Sequence, residues 1–149
     1  MRLAEYLDKQ LLLPDLAAGT KREAFITLVQ RVSEVFPEFD SEQALRVLEE
    51  RESLGTTGIG EGIAIPHCKV KDLSRLIVVV ARSKNGVPFD ALDQKPCHFI
   101  FLVLAPEGGA GLHLRILARI SRLARDQAFC GAMFEAPDAN ALWMILSGA

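Results

Sequence analysis

Between Thr20 and Phe36 the apolar positions Ala24, Phe25, Leu28, Val29, Val32, Val35 and Phe36 recur in steps of three and four. That period predicts a helix with one buried face. Thr20-Lys-Arg-Glu23 has the spacing of a capping box at its start. A second helix is expected from near Asp40, with Gln43 three residues on and Ala44, Leu45, Val47 and Leu48 leading toward Leu54. Gly55 reads as its stop. The pattern then changes: LIVVVA (76–81) and FIFLVLA (99–105) are unbroken apolar runs. Such runs predict strands buried on both faces, which places helices on two sides of a sheet. Asn85-Gly86 between them reads as a tight turn. Beyond Gly111 the helical period returns with Leu112, Ile116, Leu117, Ile120 and Leu123, and a last helix fits 137–146, with Asp138 near its start. The sum is an α/β protein, a three-layer sandwich, read as a single domain over residues 1–149.

Composition narrows the class. Half of the residues are apolar, 24% are charged, and the net charge is −2. This excludes a nucleic-acid binder that relies on bulk positive charge. No segment approaches the ~20 apolar residues of a membrane span, and Met1-Arg2-Leu3-Ala4-Glu5 does not open a secretory signal. The three cysteines form no CxxC pair and no disulfide framework. A reduced, cytoplasmic protein is the expectation.

The densest chemical signal is GIGEGIAIPH, from Gly58 to His67. Gly58, Gly60 and Gly62 do not make G-x-G-x-x-G, and no Gly-Lys-Ser/Thr follows, so a P-loop is excluded. A dinucleotide site needs a strand before the glycines and a helix after them, and here the order is reversed. The glycines instead suit a backbone that bends sharply. Pro66 drives Ile65 toward an extended conformation and fixes the entry to His67. Two readings fit: a polar residue closing a strand, or an imidazole presented at a strand end beside loop amides and the hydroxyls of Thr56 and Thr57.

Two further residues stand out. His113 falls in the first turn of its helix and on the apolar side, where the helix end favours an anion; a core histidine bonded to a carbonyl fits as well. Arg51 has Val47, Leu48, Leu54 and Gly55 at its helical neighbours, so an intrahelical ion pair does not explain it. It is placed either to reach an anion near His67 or to sit in solvent. His67-Cys68 and Cys97-His98 with His113 suggest a zinc site, but adjacent strand residues point to opposite faces, which disfavours it. Arg115, Arg119, Arg122 and Arg125 lie largely opposite the apolar face of their helix, as a solvated face or a protein-docking surface.

Taken together, REslGTTGIGEGIAIPH (51–67), PFDALD (88–93), a buried strand ending in LVLAP, and HLRILARISRLARD (113–126) resemble the enzyme IIA family of the bacterial phosphotransferase system, of the mannitol/fructose type and in its nitrogen-regulatory branch. The resemblance spans essentially the whole chain. It implies a mixed central sheet flanked by helices, His67 as the histidine phosphorylated on Nε2, His113 as a second active-site histidine that stabilises the phosphoryl group, and Arg51 as a phosphate contact. Thr56, Thr57, Gly58, Gly60, Gly62 and Pro66 would form the supporting loop. One departure is visible: the family usually carries glycine after the active histidine, and this chain has Cys68.

The resemblance implies a phosphohistidine carrier rather than an enzyme with autonomous turnover, with no cofactor and no metal. Its donor would be an HPr-like phosphocarrier charged by an enzyme I that uses phosphoenolpyruvate. Nitrogen-type relatives act on regulatory targets, including potassium-transport and sensor proteins, through their phosphorylation state. Sugar-specific relatives pass phosphate to a IIB domain. The TTGIGEG segment favours the regulatory branch.

Overall fold

The computed structural model describes residues 2–108 and 111–149. A 3-10 turn (Leu3–Tyr6) leads into β1 (Leu7–Leu13), followed by α1 (Lys21–Val35) and α2 (Ser41–Ser53). The glycine stretch supplies β2 (Gly58–Gly60) and β3 (Ile63–Ala64), then β4 (His67–Val70). Two long strands, β5 (Ile77–Val87) and β6 (Cys97–Pro106), precede α3 (Leu112–Ala124), α4 (Gln127–Glu135) and α5 (Ala139–Ser147).

The sheet runs β1-β5-β6-β3-β2, with β4 also paired to β6. It is mixed: β5 and β6 are antiparallel, whereas β1 runs parallel to β5, and β3 and β4 run parallel to β6. Alternation along the strands feeds two cores. Ile77, Val79 and Ala81 of β5 face Phe25, Leu28 and Val32 of α1 and Leu48 of α2. Val78 and Val80 face Ile116 and Ile120 of α3, Met133 of α4 and Leu142 and Leu146 of α5. Helices therefore cover both faces, which is why both strands read as continuous apolar runs. The three-layer α/β/α sandwich with a mixed central sheet is the architecture found.

The helix starts follow their caps. Thr20 accepts from the Glu23 amide, and Asp40, Asp126 and Asp138 each accept from the amide three residues on. Glu23 closes its box on Gly19 N–H at 2.8 Å, one residue before the cap.

Three elements differ from the sequence expectation. The edge strand β1 was not anticipated, because Asp8, Lys9 and Gln10 interrupt its apolar pattern. The helix α4, capped by Asp126, is additional to those the periodicity predicts. Asn85-Gly86 is not a hairpin turn. It lies inside β5, at a register irregularity between Arg82 and Val87, with Gly86 at φ +85°. A Cβ at Gly86 would lie 2.7 Å from that of Pro96, so the bulge needs glycine for space as well as conformation. Residues 88–96 make the actual connection.

Arg82 is buried at 1% exposure and makes no salt bridge among the described residues. Its guanidinium instead donates to the carbonyls of Pro14 (3.0 Å), Met133 (2.9 Å) and Ala136. A buried cation is tolerable only when its donors are satisfied in this way, and the result ties the end of α4 to the sheet.

Candidate functional site

The strand pairing explains how His67 is presented. Ile63 lies opposite Phe99 and His67 opposite Val103, so β3 and β4 follow β6 in one unbroken register. Pro66 interrupts them because it has no N–H to donate, while its carbonyl still accepts from Val103 N–H at 2.9 Å. His67 thus opens a strand rather than closing one, and it is half-buried. Its Nδ1 lies 2.9 Å from the Ile65 carbonyl. A carbonyl can only accept, so Nδ1 carries the proton and the neutral ring holds its lone pair on Nε2.

Arg51, His67 and His113, brought from α2, β4 and the first turn of α3, line one cavity of about 300 Å³. Val47, Cys68, Lys69, Val103 and Ala105 complete its wall. Arg51 Nη1 donates to the Gly55 carbonyl at 2.9 Å, which holds the guanidinium over the end of α2. His113 follows Gly111, an N-cap in the left-handed region that supplies no side-chain acceptor. His113 is thus the first-turn residue of α3 that lines the cavity, at the anion-favouring end of the helix dipole. A larger groove of about 870 Å³ meets it at Ala105 and His113 and runs past Tyr6, Phe36 and Trp143.

The supporting loop holds its shape by internal bonds. Thr56 Oγ1 donates to the Phe89 carbonyl (2.6 Å) and accepts from Gly58 N–H (3.0 Å). Thr57 is 4% exposed, and its hydroxyl and amide both donate to the carboxylate of Glu52, at 2.6 and 3.0 Å. The hydroxyls expected beside His67 are therefore turned inward, away from the cavity. Gly58 allows close approach, since a Cβ there would lie 2.8 Å from that of Ala91. Gly60 and Gly62, at φ +96° and +77°, make the turn between β2 and β3.

Glu52 is the residue that sequence reasoning missed. Its carboxylate joins Thr57 to Lys21 of α1 (Nζ to Oε2, 2.7 Å), and Lys21 in turn sits over the Phe89 ring. Nothing in the spacing of Glu52 distinguishes it from its neighbours Glu49 and Glu50. Asp93 has a similar part. Its carboxylate accepts from the amides of Lys95 and Glu61, which hold it below the usual carboxylate range and pin the glycine turn.

Cys68 faces the cavity as a thiol, its pKa pushed up to about 12 by burial. Cys97 is a core residue at the far end of β6, and His98 beside it bonds the Ser83 carbonyl and packs edge-on to Phe134. Among the described residues no group of three or more His, Cys, Asp or Glu side chains could hold a metal ion. No helix among them is long and apolar enough to cross a membrane.

A histidine whose Nδ1 is bonded to a backbone carbonyl, a guanidinium and a second imidazole thus line one small cavity on a mixed α/β/α sandwich. Residues 5–149 match the family model described as phosphoenolpyruvate-dependent sugar phosphotransferase system, EIIA 2, and the chain belongs to that family of phosphotransferase-system phosphocarriers. It is 35% identical to a nitrogen regulatory protein of Bradyrhizobium diazoefficiens, over 99% of this chain and 95% of that one. It is also 31% identical to the fructose-specific EIIABC component of Bacillus subtilis, over 99% of this chain but 23% of that protein. The crystal structure of nitrogen regulatory protein IIA-Ntr from Neisseria meningitidis superposes with a TM-score of 0.88 at 28% identity, covering 97% of this chain and 98% of that one.

Proposed function

We propose that this chain is a nitrogen-type IIA protein. In this reading it takes a phosphoryl group on His67 Nε2 from an HPr-like phosphocarrier and signals through its phosphorylation state. The observation that carries this is the single cavity shared by His67, Arg51 and His113, with Nδ1 of His67 already committed to the Ile65 carbonyl. Likeness to nitrogen regulatory proteins along nearly their full length supports the regulatory branch.

The chemistry asks little of the protein beyond alignment and charge stabilisation. The Nε2 lone pair of His67 attacks phosphorus, the nitrogen–phosphorus bond of the donor breaks, and its electron pair returns to the donor imidazole. The ring of His67 becomes cationic, and the Ile65 carbonyl, already bonded to Nδ1–H, stabilises that charge. Arg51 and His113 take the phosphoryl oxygens, and the first turn of α3 adds a favourable field. One nitrogen–phosphorus bond replaces another, so the step is close to reversible, as a carrier requires.

Residues 1–149 act in this reading as one cytoplasmic domain, with regulatory proteins, potassium transporters and sensors among them, as targets. The likeness to a fructose-specific component supports a second reading, in which the phosphate passes on to a IIB domain. The test is incubation with phosphoenolpyruvate, enzyme I and an HPr-like carrier, read by intact mass. One acid-labile phosphate is expected on the wild type and none on His67→Ala. Labelling of His67→Ala at the wild-type rate would overturn the site. Rapid discharge by a fructose-type IIB domain would favour the second reading.

A further inference from the structure

Helix α3 carries a feature that phosphoryl transfer does not use. Arg115, Arg119, Arg122 and Arg125 recur at steps of three and four, and no acidic residue lies between Leu112 and Ala124. The side chain of none of the four makes an ion pair or hydrogen bond among the described residues. Leu114, Arg115, Ala118, Arg122 and Arg125 are exposed, with Leu114 at 61%. Arg119 is half-buried, and its Nε is fully enclosed with no acceptor.

This arrangement is costly in the isolated chain. Like charges three and four residues apart repel by about 0.2–0.5 kcal/mol per pair. Arg115, near the helix start, opposes the dipole. A buried donor without an acceptor is more expensive still. An external carboxylate row would relieve the first two.

We infer that the outer face of α3 is a docking surface for an acidic helical segment of a partner protein. Ala118 would be its point of close approach, Leu114 its apolar contact, and the exposed Arg115, Arg122 and Arg125 its anion contacts. Nucleic acid fits less well, because no aromatic side chain is interleaved with the arginines and the chain is net negative. A membrane fits less well too, because the apolar side of α3 is already spent on Ile116, Ile120 and Leu123 in the core. The face shares its helix with His113. On the reading of His67 given above, phosphorylation brings net negative charge to the cavity beside the first turn of α3, and an acidic partner is bound less tightly.

The test uses the isotope-labelled full chain and a synthetic helical peptide of Glu, Ala and Leu. Saturable binding is expected, with amide shifts at Leu114, Arg115, Ala118, Arg122 and Arg125. The double variant R115E/R122E should lose about tenfold or more in affinity, as expected for charge-assisted contacts, and gain affinity for the same peptide with Lys in place of Glu. Its phosphorylation by the charged carrier should stay at the wild-type rate. Shifts elsewhere, unchanged affinity in R115E/R122E, or tighter binding of a DNA duplex or anionic phospholipid vesicles at equal salt would overturn the surface. So would a phosphorylation rate that falls in step with peptide affinity, since the face would then serve the donor. Peptide binding to the unphosphorylated chain does not depend on the His67 assignment. If that assignment fails, the weakening on phosphorylation disappears while the peptide shifts remain.

Discussion

One experiment separates the helix-capping contact of Arg51 from the phosphoryl contact that the proposed function assigns to it. Its Nη1 bond to the Gly55 carbonyl, exposed at the end of α2, is a C-terminal capping contact worth about 0.5–1.5 kcal/mol. Among the described residues the guanidinium has no other hydrogen-bond partner, and it lines the cavity shared with His67 and His113. A charge-assisted bond to a phosphoryl oxygen in flight is worth about 1.5–3 kcal/mol. At about 1.4 kcal/mol per tenfold, Arg51→Gln should slow phosphoryl transfer to His67 by roughly one to two orders of magnitude. Arg51→Lys keeps the charge but loses the planar fork and should fall between the two. The assay is single-turnover transfer from stoichiometric phosphorylated carrier, quenched in alkali, alongside thermal melts of each variant. A rate within about twofold of the wild type, with a lowered melting temperature, would make Arg51 a helix cap and nothing more.

Other predictions address the frame. Glu52→Gln removes the charge that holds Thr57 and Lys21, and should cost about 1–3 kcal/mol in urea unfolding; hydrogen exchange should rise first at residues 55–60. Gly58→Val meets the Ala91 backbone and should destabilise by about 1–3 kcal/mol, with Ala91→Gly partly rescuing it. Burial raises the Cys68 pKa from the ordinary 9.0 to about 12. The unfolded chain therefore loses that proton first, so stability is full below about pH 9 and declines as pH rises toward 12. Cys68→Gly should flatten that alkaline decline while leaving phosphorylation of His67 intact, as titrated melts and the mass assay would show.

Local chemistry was legible wherever it depends on neighbours in sequence. Thr20, Asp40 and Asp138 cap the helices that their positions predict, because a cap needs only the amide three residues on. The runs at 76–81 and 99–105 announced a sheet covered on both faces, because burial leaves no polar alternation. Pro66 before His67 read as an extended entry, and the Ile65 carbonyl two residues back indeed holds the ring. Asn85-Gly86 misled because a positive φ serves a bulge as readily as a turn, and only the crowding from Pro96 tells them apart.

What sequence alone determined is therefore the set of pieces: capped amphipathic helices, two core strands, a glycine bend and a proline-fixed entry to His67. Tertiary structure alone decided what they meet. Arg51, His67 and His113 lie on three elements and share one cavity because β4 continues the register of β3 along β6 across Pro66. Glu52 matters because Thr57 and Lys21 converge on its carboxylate, and Arg82 because three distant carbonyls converge on its guanidinium. Periodicity records which way a side chain points along its own element. The group waiting at the other end is fixed by sheet order and helix packing, which no local pattern encodes.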